Sequence, residues 1–416
     1  MRPSDHSAEP TTAAGQRLSA GALERRVKRW LLTGPFQCYL PVAPGLEPVL
    51  VEELVDLGLA AGLDALRTEH GGVSLELDNA GIMRANLCLR TANRVLLRLG
   101  TVPAQSPEML YDRTRKLDWL VHLGFASGYR LRVSSRRSKL QAGDQVTNTV
   151  ASAVARHMRD HGLYPKLDDE SPLEFHVRLL DDRCTISLDT SGEHLHRRGV
   201  RTHVSAAPLR ETVAAAMALT ALNGWEHSPD AVVDPFCGGG TVLIETADVL
   251  TLAAPGRHRD FAFQQAAWFR PGRWREVQRQ EEASRSALEP LPPILGIDSD
   301  QRALEAARAN LARAGYAGAE LVHADSTTFD FARLKAVHGL IIGNAPFGVR
   351  LGDQHSAAAL LTRLVDRLAS VGGTWRLCLL VGDPTPLLEH PALREARQLP
   401  VKTGGLDASI VSGTVG

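Results

Sequence analysis

No two of the five cysteines stand at CxxC spacing: Cys38, Cys88, Cys184, Cys237 and Cys378 are scattered along 416 residues. The scatter argues against a disulfide framework and against a cysteine zinc site. No apolar run is long enough to span a bilayer, and no signal-peptide core is present. The expectation is an intracellular, cytoplasmic chain with no membrane partner. Net charge is lacking too, because 47 Lys and Arg balance 47 Asp and Glu. Affinity for a polyanion must then come from a local patch rather than the whole field. What remains is an ordinary globular composition, 44% hydrophobic and 23% charged, in a length that suits two or three domains.

The most informative stretch runs Val232-Val-Asp-Pro-Phe-Cys-Gly-Gly-Gly-Thr241. It reads as the end of a buried strand, a glycine turn and the start of a helix. Three glycines let the backbone turn tightly and approach a ligand, and the N–H groups of the following helix start face that ligand. A phosphate-binding loop would need Lys-Ser/Thr after its last glycine, and no Lys is near. A dinucleotide fingerprint would place a small residue three positions after Gly240, where Leu243 stands. Asp234 would repel a phosphate and attract a cation. A cationic cofactor, S-adenosylmethionine, fits better. Its candidate contacts are Asp234, Phe236, Cys237, Gly238, Gly239, Gly240 and Thr241.

Three later segments repeat the strand-to-polar-end pattern. Ile294-Leu-Gly-Ile-Asp298 places a carboxylate where a nucleoside ribose finds an acceptor. Leu321-Val-His-Ala-Asp325 places another within reach of an adenine amine, and Gly339-Leu-Ile-Ile-Gly-Asn344 ends on an amide. Strands alternating with helices predict a parallel, doubly wound α/β sheet with its ligands at the carboxyl edge. The last edge continues Asn344-Ala345-Pro346-Phe347, which resembles the Asn-Pro-Pro-Tyr/Phe motif of amino-group methyltransferases. An exocyclic amine is a poor nucleophile because its lone pair is delocalised into the ring. The Asn344 side-chain oxygen and the Ala345 carbonyl can accept its two hydrogens and aim the lone pair. Phe347 can stack on a base that has left its helix. Ala345 stands at the motif's first proline, and a proline there would fix φ and with it the carbonyl.

Upstream, residues 1–17 are rich in Ser, Thr, Ala and Pro and are expected to be disordered. Leu18 to Leu32 reads as a basic helix. Phe36 to about residue 105 alternates strand and helix, a small α+β module. Residues 106–190 read as a second, with a hairpin turned at Asp181-Asp182. Between Arg113 and Lys139 eight basic residues (Arg113, Arg115, Lys116, Arg130, Arg132, Arg136, Arg137, Lys139) face only Asp118, a candidate phosphate-binding face. His194, His196 and His203 are not joined by a carboxylate or cysteine at ligand spacing, so polar loop contacts are expected and no metal. Ala207-Pro-Leu-Arg-Glu211 opens a helix.

DPFCGGGT, GIDSD and NAPFGVR stand in this order together with SLDTSGEHLHRRG and APLRE. The chain thereby resembles the THUMP-domain RNA guanine-N2 methyltransferases, and among them the bacterial large-subunit (23S) rRNA enzymes. The resemblance implies a ferredoxin-like module (36–105), a THUMP RNA-binding domain (106–190) and a Rossmann-like methyltransferase domain (191–416) with an insertion at about 253–293. It implies structured RNA as partner, rRNA before tRNA. The rival readings are a tRNA guanine-N2 methyltransferase, a DNA adenine-N6 methyltransferase, and a non-catalytic RNA-binding or assembly factor.

Overall fold

The structure, a computed structural model, describes residues 18–69, 71–200, 209–285, 290–346 and 353–416. The expected disordered stretch 1–17, His203, the Ala207-Pro208 pair and Phe347 lie outside the described residues. The chain divides into two compact units. One comprises the described part of Met1–Gly34 with Leu97–Gly192 and Ala262–Phe269; the other comprises Pro35–Leu96, Glu193–Phe261 and Arg270–Gly416. No helix among the described residues is long and apolar enough to cross a membrane.

In the first unit the basic segment is a helix, Ala20–Leu31, capped by Ser19 and buried through Leu23 and Val27 one turn apart. Arg26 pairs with Asp118 at 3.0 Å, and Trp30 meets His122 edge-on at 5.2 Å. The strands Leu96–Pro103, Arg183–Asp189, Glu174–Leu180, Gly128–Arg136 and Lys166–Leu167 are neighbours in that order. Asp181 and Asp182 both have positive φ (50° and 59°), as a two-residue hairpin between right-twisted strands requires. The basic run is less exposed as charge than its sequence suggests. The Glu174 carboxylate takes Arg130 and Arg132, and Asp181 holds Arg137 by two hydrogen bonds of 2.7 and 2.8 Å. Trp268 of the expected insertion is fully buried here, stacked on Phe263.

In the second unit Phe36–Pro41 pairs antiparallel with Gly72–Leu77, and Arg67–Glu69 extends the ribbon. A larger sheet follows, whose strands are numbered here in chain order. They are β1 (Ala231–Asp234), β2 (Ile294–Asp298), β3 (Glu320–His323), β4 (His338–Asn344), β5 (Thr374–Val381), β6 (Leu393–Thr403) and β7 (Leu406–Val415). Their spatial order is β3-β2-β1-β4-β5-β7-β6. The first five are parallel, and β7 runs antiparallel to both β5 and β6. β1 is buried at every position, as a strand covered on both faces must be. Chain order reverses between β1 and β4, which is the crevice where such sheets take their ligands. One sequence expectation shifts: β3 ends at His323, so Asp325 stands two residues beyond the strand.

Helices α1 (Glu211–Leu222), α2 (Thr241–Leu250) and α3 (Gln301–Ala314) cover the sheet. Buried charge joins the N-terminal piece of this unit to them. The Glu53 carboxylate accepts the N–H groups of Arg90 and Thr91 and the Thr91 hydroxyl. Arg90 donates to the carbonyls of Asp248 (2.9 Å) and Ala253 (3.0 Å). Arg198 donates to the Arg90 carbonyl at 2.6 Å and to Glu245 on α2 at 3.1 Å. Side chains of Arg198 and Glu245 are only 5% and 1% exposed, so each charge depends on the other. Arg198→Ala leaves Glu245 buried and unpaired, and should destabilise the fold by about 3–5 kcal/mol. A thermal or urea transition within about 1 kcal/mol of the parent would show that the pair does not hold these pieces together.

Candidate active site at the carboxyl edge

β1 ends on Asp234, which is 1% exposed. Its Oδ1 accepts the Phe236 N–H at 3.0 Å, while Oδ2 is buried without a hydrogen-bond partner. Burial pushes this carboxyl up to about 8; the Phe236 N–H works against the rise and the Asp298 charge adds to it. The carboxylate lies against β4. A Cβ built on Gly343 would stand 2.5 Å from Asp234 Oδ1 and 3.2 Å from Pro235 Cδ. Only glycine at 343 lets β4 pass this close. The sequence reading did not single out Gly343, although it directly precedes Asn344.

The loop beyond Asp234 turns on Gly238 (φ +50°) and Gly240 (φ +80°), and Thr241 opens α2. A Cβ on Gly238 would meet nothing within 4 Å, whereas one on Gly240 would press on Ala307 of α3 at 3.4 Å. The loop is thus packed at its far end and open in front. Phe236 is half-buried and Cys237 buried. The Cys237 thiol is pushed well up by burial and then by Asp234 and Asp298, so it is no nucleophile. Asn310 of α3 donates to the Gly239 carbonyl at 3.0 Å.

Asp298 closes the loop from β2. Its Oδ2 accepts the Gly238 N–H at 2.8 Å and its Oδ1 the Asp300 N–H at 2.9 Å. Each oxygen keeps a second lone pair for a ligand hydroxyl. Asp325 is exposed, and its Oδ1 accepts both the N–H and the hydroxyl of Thr327 at 2.8 Å, which hold its carboxyl below the usual range. Asn344 is the last residue of β4, and its Oδ1 is buried without a hydrogen-bond partner. Ala345 is 2% exposed inside an apolar cluster with Leu377, Leu379 and Val381. Its N–H donates to the Leu380 carbonyl at 3.0 Å. Pro346 follows at the surface.

The arrangement suits a cationic ligand. An orphaned buried carboxylate oxygen, an open glycine cradle and a carboxylate with spare lone pairs line one edge, beside an amide that lacks a donor. A second cluster lies in the other unit. Ligand atoms of Glu174, His176 and Asp189 lie within 4.8 Å of one another. Adjacent strands bring these residues together, which their sequence spacing does not reveal. Two guanidinium groups, Arg130 and Arg132, already sit on Glu174.

Three family profiles match the chain. They are described as RlmL ferredoxin-like domain over residues 37–96, THUMP domain over 104–189, and RMKL-like, methyltransferase domain over 198–411. The ribosomal RNA large subunit methyltransferase K/L of Methylococcus capsulatus is 35% identical over 83% of this chain and 47% of its own length. The chain spans about half the length of the curated relatives it matches. A methyltransferase-like protein solved in complex with SAH superposes with a TM-score of 0.80 at 27% identity, over 91% of this chain and 97% of that one. A protein of Listeria monocytogenes, assigned by prediction as an N6-adenine-specific DNA methylase, superposes at 0.77 and 27% identity, over 92% and 97%.

Two outcomes follow from the site. A carboxyl raised to about 8 is mostly protonated at neutral pH in the ligand-free protein. A cation docking there favours the carboxylate, lowers its pKa and displaces the proton. Binding of S-adenosylhomocysteine, through its ammonium group, should therefore tighten as pH rises towards 8. Calorimetry near neutral pH in two buffers of different ionisation enthalpy should show proton release, and Asp234→Asn should abolish it. A pH-independent affinity with no buffer dependence would remove Asp234 from the ligand. The second outcome concerns position 345. Proline there would delete the N–H that Leu380 accepts, leaving a carbonyl without that donor. Ala345→Pro should cost about 1–3 kcal/mol of stability rather than tighten the site. A variant as stable as the parent by urea titration contradicts this.

Proposed function

Because the chain belongs to the RMKL-like methyltransferase-domain family, whose methyl donor is S-adenosylmethionine, we propose that it methylates the exocyclic N2 amine of a guanine in structured RNA, with large-subunit 23S rRNA as the substrate. The observation that carries this reading is the β4 terminus. A buried amide oxygen without a donor ends the strand that lies against the buried carboxylate of the glycine loop. The THUMP match over 104–189 and the rRNA methyltransferase relatives favour RNA, and rRNA before tRNA. A cytoplasmic site of action goes with that substrate.

The bound cofactor supplies an electrophilic sulfonium methyl group. Asp234 would hold the ammonium of its methionine end beside the loop backbone at Gly238, Gly239 and Gly240, which is open at Gly238. Asp298 would accept ribose hydroxyls, and Asp325, exposed beyond β3, would accept the adenine amine. Asn344 Oδ1 and the Ala345 carbonyl would take the two amine hydrogens of the guanine, so that the nitrogen pyramidalises and its lone pair points outward. Pro346 would help hold the base, and Phe347 would stack on it. The proton leaves after the methyl group has arrived, so no strong base is required.

The DNA adenine-N6 reading draws on one structural neighbour and on a motif that does not distinguish the two amines. The test separates the readings. RNA and genomic DNA from a strain lacking the protein are incubated with it and donor, and modified nucleosides are measured by mass spectrometry. N2-methylguanine should appear in 23S rRNA. Asn344→Ala should lower the rate on the order of 10²–10³-fold while cofactor affinity holds. Faster methylation of DNA adenine, or none on any substrate, would sink the proposal.

A further inference from the structure

The histidine- and arginine-rich segment after residue 192 had no role in the sequence reading beyond loop contacts. Its described residues 193–199 wall a cavity of about 720 Å3 with the start of α1 and with His258 and Arg259. Arg197, Arg210 and Arg259 line it together with His196 and His258, against two carboxylates, Glu193 and Glu211. Glu193 pairs with Arg197 at 2.8 Å, but both side chains are about two-thirds exposed (66% and 63%), a pairing that solvent weakens and an incoming anion can replace. The Arg259 guanidinium is engaged in fixing the wall, donating to the carbonyls of Glu193, His194 and Arg197. Basic groups outnumber the two carboxylates around the cavity. His196 is pushed down to about 4, by burial first and then by His194, Arg210, Arg198 and Arg197.

The cavity lies at the same edge of the sheet as Asn344. Beyond the C-terminus of α1, Trp225 packs on Arg376 near the start of β5, and His227 stacks on His338, the first residue of β4. Midway, the Cys378 thiol of β5 meets the Met217 carbonyl of α1. Helix α1 therefore runs opposite to the strands. From Met217 to Glu211 it climbs roughly 9 Å, and from Cys378 to Val381 the strand climbs roughly 10 Å. Glu211 and the adjoining Arg210 are level with the end of β5, whose Leu380 is the register partner of Asn344.

We propose that this cavity seats a backbone phosphate of the RNA strand that carries the target nucleotide, with Arg197 and Arg210 as its cationic contacts. The inference rests on the RNA-methyltransferase reading above. A guanine amine reaches the β4 terminus only after its base leaves the stack, which costs a few kcal/mol. A phosphate held beside the pocket offsets that cost and fixes the strand's register without reading sequence. Guanidinium groups suit the task because they stay charged and grip phosphate through two hydrogen bonds.

A cofactor carboxylate has the same anionic chemistry, so the test separates the two sources. Filter binding of 23S rRNA from the knock-out strain is measured between about 50 and 200 mM KCl. Arg197→Ala and Arg210→Ala should each weaken binding about tenfold or more. Each should make the plot of log affinity against log salt shallower by roughly 0.7–0.9. Arg210→Lys should recover the slope, and S-adenosylhomocysteine affinity by calorimetry should be unchanged throughout. Unchanged rRNA affinity and slope in both variants would overturn the subsite. So would loss of S-adenosylhomocysteine affinity with rRNA binding intact, since the anion would then be the cofactor's. A parent protein that neither binds nor methylates rRNA would overturn the functional reading itself, and the subsite with it.

Discussion

A buried carboxylate pressed against a strand without a side chain sets the geometry of this protein. Asp234 ends β1, Gly343 precedes the last residue of β4, and a single methyl group on Gly343 would collide with the carboxylate at 2.5 Å. That contact fixes how far apart the glycine loop and the Asn344 edge can be. A carboxylate held out of water with one oxygen unsatisfied is costly, and its raised pKa is the sign of that cost. The fold sustains it because β1 is paired on both sides, with β2 and with β4. A cationic ligand resolves the strain by supplying the missing partner.

The same economy of close contacts recurs around the loop. Asp298 ties Gly238 from one side, Asn310 ties Gly239 from below, and Gly240 lies flat on α3. None of these groups is a rigid wall alone. Together they brace the loop and leave open space in front of Gly238. A preformed loop loses little entropy when a ligand arrives, and binding energy then goes into orientation.

A second set of buried charges holds the N-terminal piece to the catalytic one. Glu53, Arg90, Arg198 and Glu245 form a chain of hydrogen bonds from one piece to the other. Such chains add little net stability over an apolar core, but they tolerate few alternative arrangements. Their consequence for function is positional. Arg198, held by Glu245 and the Arg90 carbonyl, directly follows Arg197 and lines the same cavity.

The sequence by itself determined the sheet and its edge. Short β-branched runs ending in Asp234, Asp298 and Asn344 are legible because parallel strands are buried on both faces, and because chemistry gathers where they stop. The motifs also carried the family, since local spacing around a glycine turn does not need the rest of the chain. Tertiary structure decided what depends on distant partners. Gly343 is unremarkable in sequence until Asp234, more than a hundred residues earlier, lies against it. The Arg113–Lys139 run counts as eight charges against one, but Glu174 and Asp181 return from a later hairpin to pair with three of them. Glu174, His176 and Asp189 meet only across two paired strands. Ala345 reads as a weakened proline motif, yet its N–H carries a hydrogen bond that proline could not make. In each case the deciding quantity is a contact between segments far apart in the chain, and local pattern holds no information about that distance.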